Sequence, residues 1–205
     1  MRSAAGFALA AGLLTLIPGP DTLLTVRTAI AVGRPQALAA AAGISTALLG
    51  WGLAAGLGLT AALAAAPALY LALRWAGVAY LCYLGLHSIA RGARWPAEGA
   101  AAPAAPVRRW PSYLRGVVTC ASNPKVGIFY LALFPQFIAP GQRLLPASLL
   151  LAGIHAAQTL AWLTLVAAAG RRLGHVLRRR AARRWADRLS GTAFLAFAAR
   201  LAAGG

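Results

Sequence analysis

The chain has 205 residues, of which 60% are hydrophobic and only 11% are charged. An ordinary soluble protein carries roughly twice that share of charged residues, so the composition excludes a typical cytosolic protein and a disordered chain. The net charge of +17 comes from 20 basic residues against three acids. A soluble surface with this excess would indicate nucleic-acid binding. Here the arginines lie between long apolar runs, so they predict membrane topology, and we expect no nucleic-acid partner.

Six apolar runs follow one another along the chain. Their approximate bounds are Ser3–Ala31, Ala37–Ala62, Ala68–Ala90, Ser112–Ile138, Pro146–Ala169 and Trp185–Ala203. A transmembrane helix needs about 20 predominantly apolar residues, so we predict an all-α membrane protein with six transmembrane helices. A signal peptide is the alternative for the first run, but Pro-Gly-Pro-Asp stands where its cleavage region would lie.

The arginines are distributed unevenly over the loops that six helices would leave. The loops after the first, third and fifth runs, with their flanks, hold fourteen arginines: Arg34, Arg91, Arg94, Arg108, Arg109, Arg115, Arg171, Arg172, Arg178, Arg179, Arg180, Arg183, Arg184 and Arg188. The opposite side holds four, which are Arg2, Arg74, Arg143 and Arg200. Because cytoplasmic loops are enriched in basic residues, we predict that both termini lie outside. The chain is expected to form a single integral membrane domain, 1–205, with a linker at about 93–111.

Proline interrupts the first and fourth runs at corresponding positions. The first contains Pro18-Gly19-Pro20-Asp21, and the fourth contains Asn123-Pro124-Lys125. In each, a residue suited to a helix N-cap precedes a proline at the first helical position, where its missing N–H is not needed. We therefore predict a broken helix in each half, and two inverted three-helix repeats at about 1–92 and 112–205. Breaks at matching positions of two halves mark the central site of a secondary transporter.

The charges beside the breaks have both functional and structural interpretations. Asp21 can face an ammonium group or a proton, whereas Lys125 and the free N–H groups of the half-helix can face a carboxylate. Alternatively Asp21 only caps a helix, or the two form a structural ion pair. A lysine at a helix start is on the unfavourable end of the dipole, and its burial costs about 2.5–3.5 kcal/mol on insertion scales. Lys125 therefore requires an interaction partner or a functional role.

Other polar residues give weaker signals. His155, Gln158 and Trp162 share one face of the fifth helix and can line the same cavity or simply pack. Gln136 near the end of the fourth run is either a residue at the cavity mouth or an interface anchor. Three glycines of the second run are expected at close helix contacts; they are Gly43, Gly50 and Gly52.

At these residues the sequence resembles the LysE/RhtB family of bacterial amino-acid exporters. The resemblance rests on Pro18-Gly19-Pro20-Asp21, Gly33-Arg34, Ala79-Tyr80-Leu81-Cys82-Tyr83-Leu84-Gly85, Asn123-Pro124-Lys125, Phe134-Pro135-Gln136-Phe137 and Arg188-Leu189-Ser190-Gly191. It implies a multi-pass protein of the bacterial plasma membrane that exports amino acids or small derivatives, driven by the proton-motive force. The matched positions of functional importance are Pro18, Gly19, Pro20, Asp21, Asn123, Pro124, Lys125 and Gln136.

The function predicted from the sequence is secondary export, with substrate bound between the breaks and a proton exchanged at Asp21. We expect no metal and no cofactor, and the two cysteines, Cys82 and Cys120, lie inside apolar runs and indicate no metal site. No phosphate-binding loop for ATP coupling occurs, and no paired carboxylates predict a catalytic residue. The partners expected are a small-molecule substrate, membrane lipid and, in one interpretation, a second copy of the chain. The alternatives are an exporter of another small solute or ion, a membrane-embedded enzyme, or a non-transporting partner subunit.

Overall fold

The computed structural model describes residues 4–65, 67–91, 108–138, 142–170 and 180–203, so most of the predicted linker lies outside the described residues. All regular structure in these ranges is helical, which confirms the all-α prediction. The helices are α1 (Ala4–Leu16), α2 (Pro20–Ala31), α3 (Arg34–Ala65), α4 (Pro67–Arg91), α5 (Arg109–Ala121), α6 (Pro124–Ile128), α7 (Leu144–Ala168) and α8 (Arg180–Ala203). After α6 the chain continues as a π-helical turn, Phe129–Leu133, and a 3-10 turn, Phe134–Phe137.

Within the described residues, two segments are long and apolar enough to cross a membrane, Arg34–Gly58 in α3 and Leu144–Ala168 in α7. Helices α1 and α2 meet the same criterion only when they are counted together as one span, which is bent by 51° at the break between them. Six transmembrane helices therefore remain a prediction. Large apolar side chains are widely exposed on the outer surface, such as Leu9 at 71% and Leu150 at 64%, as expected of a protein that faces lipid.

The helix directions follow from the residues that meet. Helix α3 packs most extensively against α7 and α5. Gly52 of α3 lies against Ala152 of α7, and Gly56 lies against Ser148. The residue number increases along α3 where it decreases along α7, so these two helices are antiparallel.

A second antiparallel pair is formed by α4 and α8, which pack closely along their lengths. A Cβ atom added to Gly85 would lie 3.0 Å from the carbonyl oxygen of Gly191, and one added to Gly191 would lie 2.7 Å from that of Gly85. The two glycines let the backbones approach each other, which is the usual role of small residues between membrane helices.

The expected close packing of α3 glycines is confirmed at two of three positions. A side chain at Gly43 would meet the backbone of Tyr113 in α5, and Gly52 is in similarly tight contact with α7. The prediction is wrong for Gly50, which is exposed and has no atom within 4 Å of an added Cβ. It lies on the helix face that α5 and α7 do not cover.

Candidate functional site between the two helix breaks

The first break lies between α1 and α2. Helix α1 ends at Leu16, and α2 begins at Pro20 with Gly19 as its extended N-cap residue, as the sequence predicted. Asp21 lies in the first turn of α2, where the positive end of the helix dipole stabilises its negative charge. The hydroxyl of Thr25 donates to the Asp21 carbonyl oxygen at 2.9 Å.

The second break lies between α5 and α6 and is built in the same way. Helix α6 begins at Pro124, and Asn123 is its N-cap residue. The Asn123 side chain accepts a hydrogen bond of 3.1 Å from the Lys125 backbone N–H, which satisfies one of the free donors at a helix start. Asn123 is buried with 3% exposure, so this cap lies inside the protein.

The two breaks are in direct contact. The Asn123 side-chain amide donates to the Asp21 carboxylate at 3.1 Å. The Lys125 ammonium group donates to the backbone carbonyl oxygens of Leu14 at 3.0 Å and Ile17 at 3.1 Å. Polar groups from residues more than a hundred positions apart in sequence thus form one cluster.

The position of Lys125 is explained by these carbonyl groups. Leu14 lies in the last turn of α1 and Ile17 just after it, so their oxygens carry the negative end of the α1 dipole. The positive charge of Lys125 is destabilised by the dipole of its own helix, because it lies at the positive end. It is stabilised by the negative end of the α1 dipole. Instead of pairing with each other, as the structural ion-pair interpretation required, Asp21 and Lys125 each form their hydrogen bonds with another group of the opposite break.

A small cavity lies at this contact. The side chains and backbone around it come from both breaks, from α3 and from α7: Leu14, Thr15, Gly19, Asp21, Thr22, Leu48, Lys125, Val126, His155, Thr159, Trp162 and Leu163. The space open to the centre of a water molecule is about 20 Å³, which holds roughly one water. An amino acid does not fit into this space unless the cavity widens.

The predicted site residues are placed differently around the cavity. Gly19, Asp21 and Lys125 line it. Asn123 does not line the cavity but donates a hydrogen bond to Asp21, which does. Pro20 and Pro124 are exposed at the first positions of their helices. Gln136 lies in the 3-10 turn, outside the cavity wall.

Two polar atoms of the cavity residues are buried without a partner in the described residues. One is Oδ1 of Asp21, an acceptor, and the other is Nε1 of Trp162, a donor. Buried polar atoms are almost always hydrogen-bonded, so these two atoms are available to a polar molecule that binds in the cavity.

Helix α7 supplies one wall of the cavity, which is one of the two interpretations that the sequence left open for its polar face. His155 and Trp162 line the cavity. Gln158 does not; its amide donates to the Ala8 carbonyl oxygen at 3.0 Å. The sequence reasoning missed Thr159, whose hydroxyl lies 3.2 Å from that of Thr15. Its position four residues after His155 was the available signal.

An aromatic cluster lies beside the cavity, on the side of the beginning of α1, and shares His155 with the cavity wall. We use this name for the buried rings of Phe7, Phe129, Tyr130, Phe134, Phe137 and His155. The Phe7 ring is central, with ring centroids 5.4 Å from both Phe134 and Phe137. The Tyr130 hydroxyl lies 3.2 Å from Nδ1 of His155. These rings could not be distinguished from ordinary apolar packing in the sequence, because their neighbours come from three separate segments.

The two charged side chains of the site are held by neutral polar groups. In the ranges that the structure describes, no three His, Cys, Asp or Glu side chains cluster as metal ligands would. Asp21 has an amide and Lys125 has backbone carbonyls as partners, and such groups hold charges without activating a nucleophile. The arrangement suits reversible binding of a charged molecule.

Comparisons with known proteins agree with a translocator. The chain is 34% identical over 148 residues to the homoserine/homoserine lactone efflux protein of Salmonella typhimurium, covering 71% of this chain and 69% of that protein. It is 31% identical over 156 residues to the threonine efflux protein of Escherichia coli, covering 73% of each. It is also 29% identical over 140 residues to the leucine efflux protein of an Enterobacter species, covering 64% of this chain and 62% of that protein.

No solved structure matches the chain. The sequence profile of LysE type translocators matches residues 13–205, a range that includes both helix breaks and every residue that lines the cavity. The chain is therefore a member of the LysE type translocator family.

Proposed function

We propose that this protein exports an amino acid or a small amino-acid derivative from the bacterial cytoplasm across the inner membrane. The relatives named as efflux proteins for homoserine and its lactone, threonine and leucine support this substrate class. The observation that carries the proposal is the meeting of two helix breaks at a buried cavity that holds an unpaired carboxylate oxygen.

The cavity chemistry suits a zwitterion. Oδ1 of Asp21 is the acceptor for an ammonium group. The Lys125 ammonium group has three protons and directs two hydrogen bonds at α1 carbonyls, so its third proton is the donor for a carboxylate. Asn123, Pro20 and Pro124 position these charges and do not bind substrate themselves. Trp162 Nε1 would donate to a further oxygen of the substrate.

Transport requires the cavity to widen and to open at each end in turn. At one end the aromatic cluster blocks the path. With the predicted orientation, α1 begins on the outer side, so the cluster is the exit barrier. Gln136 lies in the same turn as Phe134 and Phe137, so it would meet the substrate on its way out and not in the central cavity.

We assign proton coupling to Asp21. A carboxylate that has lost its solvent and bonds only one amide is suited to hold either the substrate ammonium or a proton, but not both. Return of the empty carrier with Asp21 protonated would exchange one proton for each amino acid exported.

The test is expression in a bacterium that lacks its own amino-acid exporters, with the cells loaded with dipeptides and the released metabolites profiled. Export of one or more amino acids above the level of the empty vector is the expected result. Release of metal ions or other solutes without amino acids would favour the alternative cargo. Turnover by purified protein in detergent, without a gradient, would favour an enzyme.

A further inference from the structure

A second cavity lies far from the helix breaks, between the first turns of α3 and α5. It is a groove of about 390 Å³ lined by Arg34, Pro35, Leu38, Ala39 and Arg109. Both arginines are exposed, and none of the described lining residues is acidic. The groove therefore combines two guanidinium groups with an apolar floor, and it shares no residue with the cavity between the breaks.

The charge in this groove is not offset by its own helices. Arg34 and Arg109 are the first residues of α3 and α5, and neither helix has an acidic residue in its first turn. The guanidinium groups thus add to the positive ends of two helix dipoles. A guanidinium pair recognises phosphate through several N–H donors at once.

The location of the groove favours a lipid headgroup over other phosphate-bearing ligands. Arg34 is the first residue of the apolar segment Arg34–Gly58, so the groove lies at the boundary of a membrane-spanning helix. Next to Arg109, Trp110 is 64% exposed and stacks on Tyr113 with ring centroids 5.2 Å apart. Tryptophan and tyrosine rings are typical of the headgroup level of a bilayer.

We propose that this groove binds an anionic phospholipid, with the headgroup phosphate between Arg34 and Arg109 and the upper acyl chain along Leu38 and Ala39. Free phosphate has the same headgroup chemistry, but it has no acyl chain to contact Leu38 and Ala39. Basic grooves between helices at the cytoplasmic face are known recognition sites for anionic lipids, and the predicted orientation places this groove on that face.

The experiment is native mass spectrometry of the purified full-length protein after exchange into detergent with phosphatidylglycerol or phosphatidylcholine. The wild type is expected to retain phosphatidylglycerol in preference to phosphatidylcholine. Since one basic residue near a membrane surface contributes about a fivefold change in affinity, Arg34→Gln and Arg109→Gln should each weaken retention about fivefold. The matched control is Arg108→Gln, which removes the same charge from the adjacent exposed position outside the groove and should leave retention unchanged.

A variant of the apolar lining and a competition with inorganic phosphate test the proposal further. Leu38→Trp fills the groove without changing its charge, and it should also reduce phosphatidylglycerol retention while the protein stays monodisperse. Inorganic phosphate at millimolar concentration should not displace the lipid. Equal loss in Arg108→Gln, equal retention of both lipids, or full displacement by phosphate would each overturn the proposal, because they indicate general charge attraction or a phosphate site.

Discussion

Lys125 occupies a position that is unfavourable for a cation in two respects. It lies in the first turn of α6, where a cation opposes the helix dipole, and its ammonium group is enclosed by protein. Its two hydrogen bonds to carbonyl oxygens of the α1 end are charge-assisted and offset part of this cost. Since a methionine of similar length would avoid the cost altogether, stability alone does not explain a lysine here.

Lys125→Met should therefore abolish export without preventing membrane insertion. The variant removes the donor proposed for the substrate carboxylate, and the loss of one such interaction of about 1.4 kcal/mol already lowers affinity tenfold. We expect at least a tenfold lower efflux rate at normal protein abundance in the membrane. The control is Arg143→Met, which removes an exposed cation at the start of α7 and should transport normally. Wild-type efflux by Lys125→Met would remove Lys125 from the proposed site.

Asp21 permits a test that separates binding from coupling. Asparagine at position 21 can still accept the hydrogen bond that the Asn123 amide donates, but it cannot take up a proton. In vesicles, acidifying the outside should accelerate efflux by the wild type, whereas Asp21→Asn should lose this acceleration and retain some substrate exchange.

The comparison for this variant is Asp187→Asn. Asp187 is also buried, with 8% exposure, but it lies in α8 and not at the cavity, so its replacement should leave the response to pH gradients intact. An unchanged response in Asp21→Asn would assign proton coupling to another group.

At the scale of helices, glycine sets how closely α3 approaches its neighbours. Gly43 faces the Tyr113 backbone, which cannot move aside, and an added methyl group would overlap it. We expect Gly43→Ala to lower the stability of the purified protein by about 1–3 kcal/mol, the usual cost of overpacking. Its melting temperature in detergent should fall accordingly.

Gly50→Ala is the matched control in the same helix. No atom lies within 4 Å of a Cβ at this position, and alanine is the better helix former by about 1 kcal/mol. The melting temperature of Gly50→Ala should therefore stay the same or rise. Equal destabilisation by the two substitutions would mean that helix contacts do not determine the effect at Gly43.

The helix breaks were predictable because their signals are local. Proline at the first helical position and a capping residue before it fix where α2 and α6 begin, whatever the rest of the chain does. The partners of Lys125 were not predictable, because the Leu14 and Ile17 oxygens belong to the backbone, and their side chains carry no sign of that role. The same holds for Tyr130 and His155, whose contact depends on how α7 packs beside the π-helical turn.

For the molecule as a whole, the elements of one predicted half contact their counterparts in the other. Helix α3 packs against α7, α4 packs against α8, and the break before α2 bonds to the break before α6. A pseudo-two-fold axis relating two inverted halves would produce these pairings, since elements near such an axis meet their own equivalents. The pairings support the inverted repeat, which stays a prediction, as does the orientation in the membrane.

The orientation can be tested with cysteines at opposite ends of the molecule. Arg108 precedes α5 and Gln142 lies just before α7. Since α3 and α5 begin at the same groove and α7 runs antiparallel to α3, these two exposed positions lie at opposite ends. In a background with Cys82 and Cys120 replaced, Gln142→Cys should react with an impermeant maleimide in intact cells, because few arginines lie on its side. Arg108→Cys should react only after permeabilisation. The reverse pattern would place the aromatic cluster at the cytoplasmic entrance, where it would be the barrier to substrate entry. Labelling of both cysteines from one side would contradict the helix directions.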